Sequence, residues 1–226
     1  MKTYFNKKSA SLFATLMVFV LLISSCKKDP VAEPVVYGSA KIRVVNTVNG
    51  SLAQDFYQGT AKKSVSPIAY GQNSDYITVA AGNSTISFKN TGTEVTTASQ
   101  NIGAYTDASY TAFTATNSAG GVQVIGFEDD TVVPATGKAK VRFVNLGTVF
   151  TNTVNVTSAG VAIVTGLQLG YASAYNTVDV NAALSVQVIG GTAVAVPTTL
   201  QSGKIYTIWL DAANTTTASI HVIQQN

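Results

Sequence analysis

Two hydrophobic patterns divide this chain. Leu12 to Ile23 (LFATLMVFVLLI) is an apolar run relieved only by the small residues Ala14 and Thr15. From residue 40 onward, apolar and polar residues instead alternate with a period of two, as in a strand with one buried face. Ile42 and Val44 fall on one side of the first such segment, and Lys41 and Arg43 on the other. Ile86 and Phe88 alternate in the same way with Thr85 and Ser87, and Tyr206, Ile208 and Leu210 with Thr207 and Trp209. Clusters of Gly, Asn, Asp and Ser separate the segments, and no stretch after Cys26 has a helical period of useful length. Short alternating runs punctuated in this manner predict an all-β chain folded into antiparallel sandwiches.

The pattern occurs twice. Ala40–Asn46 (AKIRVVN) recurs as Ala139–Asn145 (AKVRFVN), and Gly71, Ser74, Tyr76 and Val79 recur at the same spacing as Gly170, Ser173, Tyr175 and Val178. Farther on, Tyr110-Thr111-Ala112-Phe113 aligns with Tyr206-Thr207-Ile208-Trp209, and Val122–Ile125 with Ile220–Ile223. Matches in constant order along such a length indicate a duplicated domain, and the period is too long for a solenoid. The expected units are residues 38–133 and 138–226. Glu128–Gly137, acidic and then punctuated by Pro134 and Gly137, reads as a solvated joint between them.

Leu200-Gln201-Ser202-Gly203-Lys204-Ile205-Tyr206 resembles the tyrosine corner of Greek-key sandwiches, in which a phenol hydrogen-bonds to backbone a few residues upstream. The matching piece, Ala104–Tyr110, has Asp107 in place of the glycine and Ala104 in place of the leucine. This resemblance implies that both sandwiches are immunoglobulin-like and that Tyr110 and Tyr206 are structural.

Lys2, Lys7 and Lys8 precede the apolar run, and Ser24, Ser25 and Cys26 follow it. The run is short of the ~20 residues that cross a bilayer as a helix and fits the apolar region of a secretion signal. The Ile23-Ser24-Ser25-Cys26 ending resembles the lipobox of bacterial lipoproteins. That resemblance implies a signal peptide over 1–25, a lipidated Cys26 carrying palmitate-type acyl chains, and a tether over 26–37. Two or three acyl chains anchor stably where one does not. Lys27, where an aspartate would retain the protein at the inner membrane, points to the outer membrane, with the protein exposed at the cell surface.

Charge changes the picture once that segment is set aside. The chain carries 14 basic and 11 acidic residues. Cleavage removes three lysines and leaves no net charge, so nucleic acid is excluded as a partner. Lys62-Lys63 and Lys138/Lys140/Arg142 then read as solvation of an outer strand face. Cys26 is the only cysteine, which excludes disulfides and thiolate metal sites from the mature fold.

The repeat as a whole resembles the bacterial domain-of-unknown-function family 4397. It carries the opening Ala-x-Ile/Val-Arg-Val/Phe-Val-Asn strand, the Asp55-Phe56-Tyr57-x-Gly59 strand end, Tyr70-Gly71-x-x-Ser74-x-Tyr76-x-x-Val79-x-Ala81-Gly82 and Gly203-x-x-Tyr206-Thr207. The second copy departs from it at Thr153–Val156 and at Asn181-Ala182. The resemblance implies extracytoplasmic, immunoglobulin-like modules on lipoproteins, often in Bacteroidetes-type envelopes, and implies no activity.

Candidate chemistry is sparse. His221 is the only histidine, alternates with Ile220 and Val222, and has no Gly-x-Ser-x-Gly elbow to serve. Asp55, Asp75, Asp107, Asp179 and Asp211 are scattered at strand ends, where turn chemistry accounts for them. Glu128-Asp129-Asp130 offers oxygens to a hard cation but fits a solvated linker better. No catalytic residue, metal site or cofactor is therefore expected. Aromatic stacking on a ligand remains, with Trp209, Tyr57, Tyr70 and Tyr171 as the candidate contacts; periodicity leaves open whether Trp209 faces inward or outward. The expected function is a non-enzymatic, lipid-anchored envelope protein acting in adhesion, scaffolding or capture of a glycan or protein ligand. The alternatives are a glycan-binding accessory lipoprotein of a polysaccharide-uptake system and, more remotely, a hydrolase of unrecognised type.

Overall fold

A computed structural model describes residues 38–226. Cys26, the signal segment 1–25 and the tether up to residue 37 lie outside the described residues. Every regular element described is a strand. In the first repeat these are β1 (Ser39–Asn46), β2 (Gln54–Gln58), β3 (Ala61–Lys62), β4 (Ile77–Ala80), β5 (Gly82–Asn90), β6 (Thr96–Ala104), β7 (Ser109–Thr116) and β8 (Val122–Glu128). The second repeat has β9 (Lys138–Asn145), β10 (Val154–Ser158), β11 (Val161–Leu167), β12 (Asn176–Asp179), β13 (Leu184–Val188), β14 (Val194–Ala195), β15 (Ile205–Ala212) and β16 (Ala218–Gln224).

Each repeat is a sandwich of two four-stranded sheets. The order is β4-β1-β7-β8 over β3-β2-β5-β6 in the first, and β12-β9-β15-β16 over β11-β10-β13-β14 in the second. Pairing is antiparallel except for β1 with β7 and β9 with β15, which run parallel. The alternation places the core as expected. Ile42, Val44, Phe56, Ile86 and Phe88 fill the first sandwich, while Val141, Phe143, Val156, Val186, Ile208 and Leu210 fill the second. The β10–β11 hairpin turns on Ala159 (φ 49°) and Gly160 (φ 80°), the double left-handed pair that matches strand twist.

The opposite strand faces correct the sequence reading. They do not face water, because the β1/β7/β8 face of one sandwich packs on the β9/β15/β16 face of the other. The described residues belong to one compact unit, Tyr37–Asn226. A third apolar cluster joins Val45, Phe113 and Ala115 to Val144, Leu146, Trp209 and Ile223, and neither repeat completes it alone. Arg142, expected to solvate an outer face, is 2% exposed, and Arg43, its counterpart on β1, is 6% exposed.

A polar network related by an approximate two-fold axis continues this interface. The Arg142 guanidinium donates to the Glu128 carbonyl (2.7 Å), the Asp129 carboxylate (2.6 Å) and the Thr207 hydroxyl (2.9 Å). Arg43, its counterpart, donates to the carbonyls of Gln224 (3.0 Å) and Gln225 (3.4 Å). Each guanidinium lies over a matching ring, Arg43 over Tyr76 at 4.3 Å and Arg142 over Tyr175 at 4.8 Å. Tyr76 Oη and Thr111 Oγ1 both donate to Asp129. The acidic segment is thus no solvated linker: Asp129 is buried at the centre of the interface, and Asp130 pairs with Lys140. Burial, followed by the adjacent Asp129 charge, pushes the Tyr76 phenol well above its ordinary range.

Candidate functional site

The two sandwiches differ at one edge. In the first, a cleft of about 480 Å³ opens between the edge strands β6 and β8 and reaches Ile42 and Ile86 on the core floor. Its walls are Gln100, Ile102, Gly103 and Ala104 on β6 with Val124 and Gly126 on β8, and among the described residues no charged one lines it. Its volume lies within the roughly 300–1,000 Å³ usual for ligand sites.

Strand register explains the opening. On β7 and β8, Tyr110 pairs with Glu128 and Ala112 with Gly126; on β15 and β16, Tyr206 pairs with Gln224 and Ile208 with Val222. Ile208 and Val222 therefore occupy in the second sandwich the positions of Ala112 and Gly126 in the first, and both pack into its core. A Cβ placed on Gly126 would meet nothing within 4 Å. These two small residues leave part of the cleft unfilled. The flanking strand differs as well, because β6 has nine residues and its counterpart β14 only two. Sequence comparison supplied the contrast of Ala112 with Ile208 but aligned β8 with β16 two residues out of register, which hid Gly126. By the observed pairing, His221 corresponds to Ile125.

Tyr171 lines a different cleft, of about 380 Å³, with Thr165, Gln168, Ser173 and Asn176. It is 62% exposed, so its ring is available for stacking. The other candidate contacts are placed otherwise. Trp209 is 1% exposed and has no face open to a ligand. It lies on the outward face of β15, stacked on His221 (centroids 3.7 Å apart, planes within 3°) inside the inter-sandwich cluster. Tyr70 meets the Trp209 edge at 6.5 Å and donates to Asp211 at 2.6 Å across the interface. Burial and that hydrogen bond raise its pKa to about 12. Tyr57 is half-buried beneath the Lys89 ammonium, 4.6 Å from the ring centre.

The two corner tyrosines make equivalent contacts. Tyr206 Oη accepts the Gln201 N–H at 3.0 Å, and Tyr110 Oη accepts the Tyr105 N–H at 3.0 Å. Asp107 does not disturb the first-repeat motif; it adopts φ 64° where Gly203 has φ 76°. Aspartate tolerates the left-handed region better than most residues.

His221 has Ser219 Oγ at 3.5 Å, and burial lowers its pKa, opposed in part by the charge of Asp211. Ser219 and His221 share one strand face and Asp211 sits opposite Ser219; its carboxylate oxygens accept from Tyr70 Oη and the Ala212 N–H, not from the imidazole as a triad requires. Among the described residues, no group of three or more His, Cys, Asp or Glu is placed to hold a metal ion.

Comparison with known proteins gives a family match and a likeness among solved structures. Residues 40–151 match the family model described as "Domain of unknown function (DUF4397)", a span covering the first repeat and the opening strand of the second. Among solved structures, CBMbc (family CBM26) from Eubacterium rectale Amy13K in complex with maltoheptaose is 16% identical. The match covers 83% of this chain and 97% of that one with a TM-score of 0.25, too low to carry an argument about function. No curated protein matches.

Proposed function

We propose that this chain, whose residues 40–151 match the DUF4397 family model, is a lipid-anchored envelope protein that acts without catalysis, in adhesion, scaffolding or ligand capture. The first sandwich is the capturing module, and the observation that carries this is the uncharged cleft opened by Ala112 and Gly126 where the second repeat is filled by Ile208 and Val222. The second sandwich serves as a rigid support, fixed to the first by the shared apolar cluster and the two arginines. Cys26 provides attachment to the outer membrane, with the sandwiches on the cell surface.

Two measurements separate the parts of this reading. Alkynyl fatty acid should label the wild type and not Cys26→Ser, and protease shaving of intact cells should remove the sandwiches. A thermal-shift screen of uncharged ligands should find compounds that stabilise the wild type but not a Gly126→Val/Ala112→Ile variant. If no ligand distinguishes the two proteins, the cleft is not a capture site.

A second reading, glycan binding, is favoured by Tyr171. An exposed ring beside Thr165, Gln168 and Asn176 has the apolar face and uncharged hydrogen-bonding groups that a sugar requires. A glycan array should then show binding that Tyr171→Ala abolishes.

A further inference from the structure

We infer that the cleft of the first sandwich receives an extended, uncharged peptide strand, which pairs with the free edge of β6 and turns alternate apolar side chains between β6 and β8. This rests on the reading of the cleft as the capture site and names its occupant.

The backbone supplies the first argument. β6 and β8 are terminal strands of their sheets, each with a single neighbour. Among the described residues, alternate N–H and C=O groups along both outer edges therefore have no partner strand, and such edges are templates for strand addition. Natural edge strands are usually protected by brevity, lysine, proline or inward-pointing charge. Apart from a register irregularity between Thr96 and Ala98, β6 has no such protection: Thr96–Ala104 (TTASQNIGA) is nine residues long, without charge or proline. In the second sandwich the equivalent edge is protected by brevity, since β14 is two residues long.

Side chains supply the second. Ala98, Gln100, Ile102 and Ala104 pair with the core-facing positions of β5 and so share the inward face of β6. A strand added beside them would lie along the mouth of the cleft, with every second side chain directed at Gly126, Ala112 and the Ile42 and Ile86 floor. The absence of lining charge selects against charged residues at those positions, because burying one unpaired is costly. The cleft suits a glycan poorly. Tyr110 is its only aromatic residue, and the Tyr110 hydroxyl already accepts the Tyr105 N–H.

The test uses the intact protein in detergent and a displayed library of random heptapeptides. Enriched sequences should alternate apolar with uncharged polar residues. Synthetic versions should bind at least tenfold more weakly to Gly126→Val/Ala112→Ile, which copies the second repeat and keeps the fold, as its unchanged circular dichroism spectrum should confirm. N-methylation of alternate backbone amides, leaving all side chains in place, should also weaken binding at least tenfold. Binding that survives either change overturns the strand proposal. Palmitate bound in place of peptide, with the same sensitivity to cleft filling, would overturn the strand while sustaining capture. Failure of both the library and palmitate to distinguish wild type from the filled variant would remove both.

Discussion

Arg142 of the second sandwich and Asp129 of the first form an ion pair at 2.6 Å, with only 3% and 0% of their side chains exposed. The two-fold counterpart of this pair is not another pair. Arg43 meets the carbonyls of Gln224 and Gln225 and lies over the Tyr76 ring. The two guanidiniums are therefore matched by one directly paired carboxylate, that of Asp129. Carbonyl dipoles and a ring face take the place of the second anion.

This asymmetry orders two substitutions. Asp129→Asn leaves Arg142 buried without its countercharge and should cost about 3–5 kcal/mol. Arg43→Met strands no carboxylate and should cost less. Urea denaturation of the intact chain measures both, and the opposite order would mean that the ion pair is not the dominant contact.

Tyr206→Phe removes one hydrogen bond and leaves the Gln201 N–H without an acceptor, at a cost of about 1–3 kcal/mol. Tyr110→Phe breaks an equivalent bond of the same length. The Tyr105 amide it releases is more exposed, and water can replace the phenol there. Its cost should fall below that of Tyr206→Phe, by solvation and not by any defect in the corner. Equal losses in urea melts would show that exposure does not discount the bond.

His221 should make stability depend on pH. Its folded pKa lies below its ordinary value because burial against Trp209 penalises the charged ring. As the pH falls below about 6.5, the unfolded chain takes up the proton first. The contribution is thus complete above that pH and is lost on acidification through the folded pKa. His221→Gln should have a smaller change in urea midpoint between pH 7.5 and pH 5 than the wild type. An identical change in both would place the acid sensitivity in other groups.

Separating the repeats should expose what they share. Residues 138–226 alone would present Val144, Leu146, Trp209 and Ile223 to water. That face matches the first repeat under approximate two-fold symmetry, so the fragment should self-associate, as sedimentation would detect. Trp209→Ala in the intact chain should cost ~3–5 kcal/mol, the usual range for truncating a large buried aromatic residue. A monomeric, cooperatively folding fragment would show that the shared cluster adds little.

How much of this was legible in sequence follows from what periodicity encodes. Alternation assigns residues to two faces of a strand: it grouped Ile42 with Val44 and Ile86 with Phe88, which fill the first core, and grouped Ile208 with Leu210 opposite Trp209 without saying which of those two faces looks inward. Duplication was legible because Ala40–Asn46 and Ala139–Asn145 retain the same residues, and the Tyr206 corner because its motif is local in the chain. What covers an outward face is a different matter, set by surfaces that meet across nearly the whole sequence. Arg43 and Trp209 have the same alternation whether they face water, a ligand or a second sandwich, and only packing decided that they face the sandwich. The cleft was hidden for the same reason. Gly126 is an unremarkable strand residue until register sets it opposite Ala112, and a void belongs to several side chains at once, not to any one position.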